Sequence, residues 1–275
     1  MKDLSTRYPV WFCDIWGVVH NGVTPYQHAC NALTEHRRNG GVAILVTNAP
    51  RVSNDVIRHL THLGVPRDSY DHVVTSGDAT RTLLTDHARK KAYYIGPPHD
   101  TSLFEGLDVA QVALAEAHAA LCVGLVDDAV ESPDDYAELL AEMRSLQLPM
   151  ICANPDKIVR KGDRLQFCAG ALAEKYAAMG GQVFMAGKPF APIYELARLK
   201  ASELSGHEIH AGDILAIGDG PETDIKGAAD NGFDVVLIAD GVTDASLGLE
   251  ATHNRIQAQV PRAKIIRTMH QLAWG

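Results

Sequence analysis

The sequence has no apolar run long enough to cross a bilayer, no CxxC pair and no cluster of basic residues, and each absence closes off a class of function. A membrane-spanning helix needs about 20 consecutive apolar residues, and the start, MKDLSTRYPV, carries no apolar signal segment. No membrane partner and a cytoplasmic location are therefore expected. The five cysteines, Cys13, Cys30, Cys122, Cys152 and Cys168, are odd in number and lack metal-site spacing, as do the 13 scattered histidines. That pattern suits reduced, buried thiols rather than a disulfide framework or a zinc site. Lysine and arginine number 25 against 34 acids, for a formal net charge of -9. Dispersed basic residues on an acidic chain argue against nucleic acid as a partner, because phosphate backbones need clustered positive charge. A small molecule is the expected ligand, and a homodimer is compatible with this composition.

What is present is an ordinary globular balance, 46% hydrophobic and 21% charged over 275 residues, enough for one large domain or two modest ones. Strand-like runs alternate with helical ones: VWFCDI (10–15), a helix near 26–38, VAILVTN (42–48), a helix near 53–63 and HVVTS (72–76). The same rhythm returns in QVFMAGKP (182–189), a helix near 191–204, DILAIGDG (213–220), a helix near 222–231 and DVVLIADG (234–241). Alternation of this kind predicts an α/β fold with a parallel sheet. Asp14, Thr47 and Asp219 then gather at the C-terminal strand edge, where open α/β sheets bind ligands. Between the two blocks lie YYIG (93–96), ALCVGLV (120–126), a helix after Ser132-Pro133, LPMICANP (148–155) and an amphipathic helix within 168–181. This stretch predicts an inserted α/β domain over 78–184, leaving 1–77 plus 185–275 as the core. A single sheet with decorations is the alternative organisation.

Taken singly, Asp14, Thr47, Lys188, Asp219 and Asp224 are weak signals, since a strand-end Asp or Thr is commonly a helix cap and a lysine is commonly on the surface. Their order is more telling. DIWGVVHNG (14–22), TNAPR (47–51), ANPD (153–156), GKPFAPIYELA (187–197) and GDGPETDIKGAADNG (218–232) together resemble the haloacid dehalogenase superfamily, and most closely its NagD-like, p-nitrophenylphosphatase-like branch. The resemblance spans nearly the whole chain, and it implies a Rossmann-like core with an inserted α/β cap that selects the substrate. It also implies a magnesium-dependent phosphatase acting on a small phosphorylated metabolite. In that reading Asp14 is the nucleophile that forms an aspartyl-phosphate, splitting one hard displacement into two. Thr47 and Lys188 offset charge on the phosphoryl group. Asp14, Asp219, Asp224 and the Trp16 carbonyl supply the hard oxygen ligands that Mg2+ prefers. Thr47, Asn48, Arg51, Asn154, Asp156 and Lys188 are the residues expected to touch substrate, with Lys157, Arg160, Lys161 and Arg164 either lining a cap loop or forming a solvated charged one. The Asp-rich GDGPETD turn would also serve as a helix N-terminus, where carboxylates suit the dipole.

Trp16 is the departure. Phosphatases of the superfamily normally carry Asp at this second position, where it protonates the leaving oxygen and later deprotonates water. Indole can do neither, and general acid–base help contributes about 10²–10⁴-fold. Three readings stay open. The substrate's leaving group departs without a proton, or His20 supplies one, its imidazole having the right unperturbed pKa, unless His20 merely packs in its loop. The chemistry is other than phosphoryl transfer, against which the metal-type acids count. Or the chain binds a phosphorylated ligand without turning it over, the indole closing a dry pocket or stacking on the ligand. If the indole is buried, truncating it would cost about 3–5 kcal/mol.

Overall fold

The strand that ends just before Asp14 is apolar on both sides because it is central to a sheet covered on both faces. The computed structural model describes residues 1–98, 102–161, 164–241 and 248–275, the side chains of 160, 161, 164 and 165 excepted. In chain order the strands are β1 (Val10–Cys13), β2 (Val42–Thr47), β3 (His72–Thr75), β4 (Lys91–Ile95), β5 (Ala110–Gln111), β6 (Ala119–Cys122), β7 (Met150–Cys152), β8 (Ile158–Lys161), β9 (Arg164–Phe167), β10 (Val183–Met185), β11 (Ile214–Gly218), β12 (Asp234–Ile238) and β13 (Lys264–Met269). The fold is α/β, and the chain forms two compact units.

The first unit, Met1–Thr47, Asn54–Val74 and Lys188–Gly275, holds a six-stranded sheet in the order β13-β12-β11-β1-β2-β3. Successive strands move outward on one side of β1 and return on the other side at β11, so β1 and β11 flank the topological switch point where such sheets take ligands. Both strands are buried at every residue. Their pairing is parallel, with Cys13 level with Ile217 and, on the other side, with Leu45. Register therefore brings Asp14, Thr47 and Asp219 to nearly one level at the C-terminal edge.

The second unit, Asn48–Ser53 and Thr75–Gly187, has its own parallel sheet, β10-β7-β6-β4-β5, and a separate antiparallel hairpin of β8 and β9. Its core packs Leu140, Met143, Leu172 and Tyr176 around Cys122 and Cys152. A T-x-x-D capping box opens the helix Ser76–His87, Thr75 taking the N–H of Asp78 and Asp78 that of Thr75. One expectation is corrected here. The run QVFMAGKP reads in sequence as a strand of the sheet bearing Asp14, but Val183–Met185 pairs with Met150–Cys152 in the second sheet. Periodicity marks a strand; only long-range pairing decides which sheet it joins. All five cysteines are buried and unbridged. Burial pushes the thiols of Cys152 and Cys168 up to about 12, which leaves them poor nucleophiles. Among the described residues no helix is long and apolar enough to cross a membrane.

In the first unit, Trp11 stacks face to face on His36, centroids 3.9 Å apart and planes 4° from parallel. His36 is fully buried and its Nδ1 hydrogen-bonds Ser5 Oγ at 2.7 Å, while Nε2 has no protein partner among the described residues. Burial holds this imidazole neutral, lowering its pKa from 6.5 to about 4. The unfolded chain therefore binds a proton between those pH values that the folded chain refuses, and stability falls as pH drops through that window. At 1.36 kcal/mol per pKa unit, the loss between pH 7.5 and 4.5 should be about 2–3 kcal/mol. Urea melts of wild type and His36→Phe at both pH values should differ by that amount in their pH dependence. Equal pH dependence in the two proteins would show that His36 is not its source.

Candidate active site

Four buried side chains meet at the edge described above, all within the first unit. Asp14 follows β1, and its N–H donates to Ile217 O at 2.8 Å, which continues the ladder one residue past the strand. Lys188 lies just before the helix Ala191–Ser205 and is 3% exposed. Its Nζ donates to Asp14 Oδ1 at 2.5 Å and to Asp224 Oδ1 at 2.7 Å, so one ammonium bridges two carboxylates. Asp224 sits in a π-helical turn, Pro221–Ile225, that leads into the helix Lys226–Asn231. Its second oxygen accepts the Gly220 N–H at 3.1 Å and the Thr223 hydroxyl at 3.3 Å. A π turn is a common device for re-aiming a side chain at a site. Asp219 ends the β11 run and is buried between Gly17 and Gly241, where a Cβ on either glycine would collide with the carboxylate. Gly17 also has φ +84°, a conformation that disfavours any side chain.

The ligand oxygens of Asp14, Asp219 and Asp224 lie within 4.8 Å of one another. Three buried carboxylates against one ammonium leave a formal excess of two negative charges. Burial, opposed by Lys188 and reinforced by Asp224, pushes the Asp14 carboxyl from 3.8 up to about 7. Burial also works against the Lys188 ammonium, but Asp14 and Asp224 outweigh it and hold the lysine pKa well above its ordinary value. Clustered hard oxygens with two negative charges in excess fit a divalent cation such as Mg2+, which would relieve the repulsion that the lysine leaves unbalanced.

The remaining expected residues fall into separate places. Thr47 closes β2 at the same edge, and Asn48, next in the chain, belongs to the second unit, where its Nδ2 donates to Asp156 Oδ1 at 3.0 Å. Asn154 Oδ1 accepts the Asp156 N–H at 3.1 Å, so Asn48, Asn154 and Asp156 form one polar group. The Arg51 side chain is exposed, and its backbone carbonyl accepts the Thr75 hydroxyl at 2.6 Å. Lys157 is exposed and pairs with Glu174 at 2.6 Å, while Arg160, Lys161 and Arg164 fall outside the described side chains.

The loop after Asp14 holds the two residues on which the sequence leaves most open. Trp16 is 48% exposed, so the indole is not a core residue. His20 is buried, and its Nδ1 accepts the Gly22 N–H at 2.8 Å. Burial, and secondarily the neighbouring His59, lowers its pKa to about 4. A neutral imidazole with one nitrogen already engaged is how a loop-holding residue looks. Sequence reasoning did not find Thr223, the Gly17 and Gly241 cradle or the bridging geometry of Lys188. The glycines in DIWG and ADG carry the only sequence signal of the cradle, and Thr223 carries none.

Two family models match this chain: haloacid dehalogenase-like hydrolase over residues 11–110, and a HAD-hydrolase-like model over residues 185–262. Among curated proteins none matches significantly. A crystal structure of a hydrolase of the haloacid dehalogenase-like family from Brucella suis is 43% identical, covers 99% of this chain and 98% of its own, and superposes with a TM-score of 0.86. The 4-nitrophenylphosphatase of Thermotoga maritima is 19% identical over 98% of this chain and 96% of its own, with a TM-score of 0.75. The glycerol phosphate phosphatase of Mycobacterium tuberculosis, solved with calcium, is 21% identical over 98% of this chain and 75% of its own, with a TM-score of 0.71. The last two are likenesses of fold, whereas identity of 43% across whole chains carries kinship. The chain is a member of the haloacid dehalogenase-like hydrolase family.

Proposed function

We propose that the protein is a magnesium-dependent phosphatase of the NagD-like branch, acting on a small phosphorylated metabolite through an aspartyl-phosphate. The observation that carries this reading is the buried cluster of Asp14, Asp219, Asp224 and Lys188, with its excess of negative charge. The phosphatase names of proteins sharing the fold, and the calcium in one of them, support it. A divalent cation held by Asp14, Asp219, Asp224 and the Trp16 carbonyl would screen the phosphoryl oxygens from the attacking carboxylate. An oxygen of Asp14 attacks phosphorus, the bond from phosphorus to the ester oxygen breaks, and that oxygen leaves with the electron pair. Water then attacks the aspartyl-phosphate and breaks its phosphorus–oxygen bond to Asp14; its protons leave on the inorganic phosphate released, and the departed ester oxygen takes its proton from solvent. Lys188 holds the Asp14 oxygen in place and balances charge on the transferring group, and Thr47 donates to it. The second unit is the cap, with Asn48, Arg51, Asn154 and Asp156 as its contribution to substrate binding. We assign His20 to holding the loop rather than to proton transfer.

With Trp16 where a proton donor would stand, the leaving oxygen departs unassisted, so acidic leaving groups are favoured. Aryl or acyl phosphates should be hydrolysed with kcat/KM about 10²–10⁴-fold above that for alkyl phosphates, the size of the missing acid's contribution. Because Trp16 is 48% exposed, Trp16→Asp should melt within a few degrees of wild type, and it should raise alkyl ester turnover. A leaving-group series on both proteins tests this. Similar kcat/KM for alkyl and aryl esters in wild type would mean that another group donates the proton. The second reading, a phospho-ligand binder without turnover, is favoured by Trp16 itself, and it gains if no ester in the series is hydrolysed while phosphate still binds.

A further inference from the structure

The carboxylate of Asp224 is held largely by its own turn. One oxygen takes the Gly220 N–H and the Thr223 hydroxyl, both from that turn, while the other takes Lys188. The Gly220 carbonyl accepts the N–H of Asp224 at 2.9 Å and that of Ile225 at 3.0 Å, the second across the wider π ring. Wherever this turn moves, the Asp224 oxygens move with it. A π turn leading into a helix of six residues is too short to fix itself, since helices of that length are unstable alone in water. It needs support from outside.

Tyr194 is in place to give it. The residue lies on the helix Ala191–Ser205 and is 3% exposed, and its phenol tip fills the space over Gly227, the second residue of the helix Lys226–Asn231. A Cβ added at Gly227 would come within 2.0 Å of the hydroxyl oxygen, 2.6 Å of Cζ and 2.7 Å of Cε2, so only glycine admits the ring this closely. The hydroxyl donates to Thr223 O, inside the π turn, at 3.5 Å, a long bond, so packing against Gly227 supplies most of the support. Burial, and after it the Asp224 carboxylate, raise the phenol pKa, which keeps the hydroxyl a donor. The ring is fixed from its other side as well. Phe233 packs against it with centroids 5.7 Å apart and planes at 66°, and Phe12 meets Phe233 edge to face at 5.8 Å and 88°. Phe12 belongs to β1, two residues before Asp14. One aromatic stack thus runs from the strand that delivers Asp14 to the turn that delivers Asp224.

We propose that Tyr194 is a positioning residue that fixes the aim of Asp224 and thereby makes the site discriminate magnesium from calcium. This deepens the metal-dependent reading and rests on it. Mg2+ requires near-octahedral oxygens at roughly 2.0–2.1 Å, whereas Ca2+ accepts about 2.3–2.6 Å and irregular shells. A clamped carboxylate therefore suits the smaller ion, and loosening it costs that ion more.

Calorimetry on the full chain, with magnesium chloride or calcium chloride as the only ligand, tests this. Tyr194→Phe keeps the ring on Phe233 and removes the atom nearest Gly227. It should weaken magnesium binding about tenfold, the lower end of the effect of groups that orient metal ligands, and calcium binding by less than about threefold. Its metal-free melting temperature should stay within a few degrees of wild type. A merely structural tyrosine would lower both affinities alike or neither. Adding Tyr194→Phe to Asp224→Asn should not deepen the magnesium loss of Asp224→Asn alone, because a residue that acts through another is not additive with it. Gly227→Ala, which pushes the ring off the turn, should shift the magnesium-to-calcium ratio in the same direction, and it carries the test if Tyr194→Phe does not fold. An unchanged ratio in these variants, or additive losses in the double variant, would overturn the proposal. Failure of the metal-dependent reading looks different: wild type itself would bind neither ion, and the proposal would fall with it.

Discussion

Asp14→Asn should lower phosphate ester turnover by at least about a thousandfold, the scale seen when a principal catalytic group is removed, and should leave the fold intact. The amide has the size of the carboxyl but cannot attack phosphorus. The backbone bond from Asp14 to Ile217 O does not involve the side chain, and Lys188 keeps its bond to Asp224 at 2.7 Å. Burial already works against the Asp14 charge. Removing an anion that burial disfavours should therefore hold or raise the melting temperature of the metal-free protein, a stability that the wild type forgoes for its nucleophile. Turnover of an aryl phosphate and thermal melts should be measured on the same preparation. Residual activity above about a thousandth of wild type would point to a different nucleophile.

Asp219→Ala should abolish magnesium binding. Asp219 is enclosed by Gly17 and Gly241 and supplies one of the three carboxylates of the cluster, and alanine supplies none. In wild type, magnesium should raise the melting temperature with the logarithm of its concentration once that exceeds Kd, because binding to the folded state alone stabilises it. That increment should vanish in Asp219→Ala, and calorimetry should show at least a hundredfold weaker binding, about 2.7 kcal/mol. Asp224→Asn should do less, since Lys188 already satisfies one of its oxygens and Gly220 and Thr223 the other. Unchanged magnesium affinity in Asp219→Ala would remove Asp219 from the metal site.

Asp14, Thr47 and Asp219 were legible in the sequence because each follows an apolar run, and a parallel strand delivers whatever follows it to one known edge. Lys188 and Asp224 sit in helix-leading loops with no such pattern and were legible only through the resemblance of GKP and GDGPETD to known motifs. The α/β alternation was equally plain, since helix and strand periods are local properties of the chain. Tertiary structure alone decided three other matters. Val183–Met185 joined the second sheet, because strand pairing is set by partners that no local pattern names. Lys188 bridged two acids 174 and 36 residues away, a geometry that spacing does not encode. Trp16 turned outward while His20 turned in, against their ranking by hydrophobicity. In a short loop the backbone hydrogen bonds fix which way each side chain points, and burial preference acts only on the directions that remain.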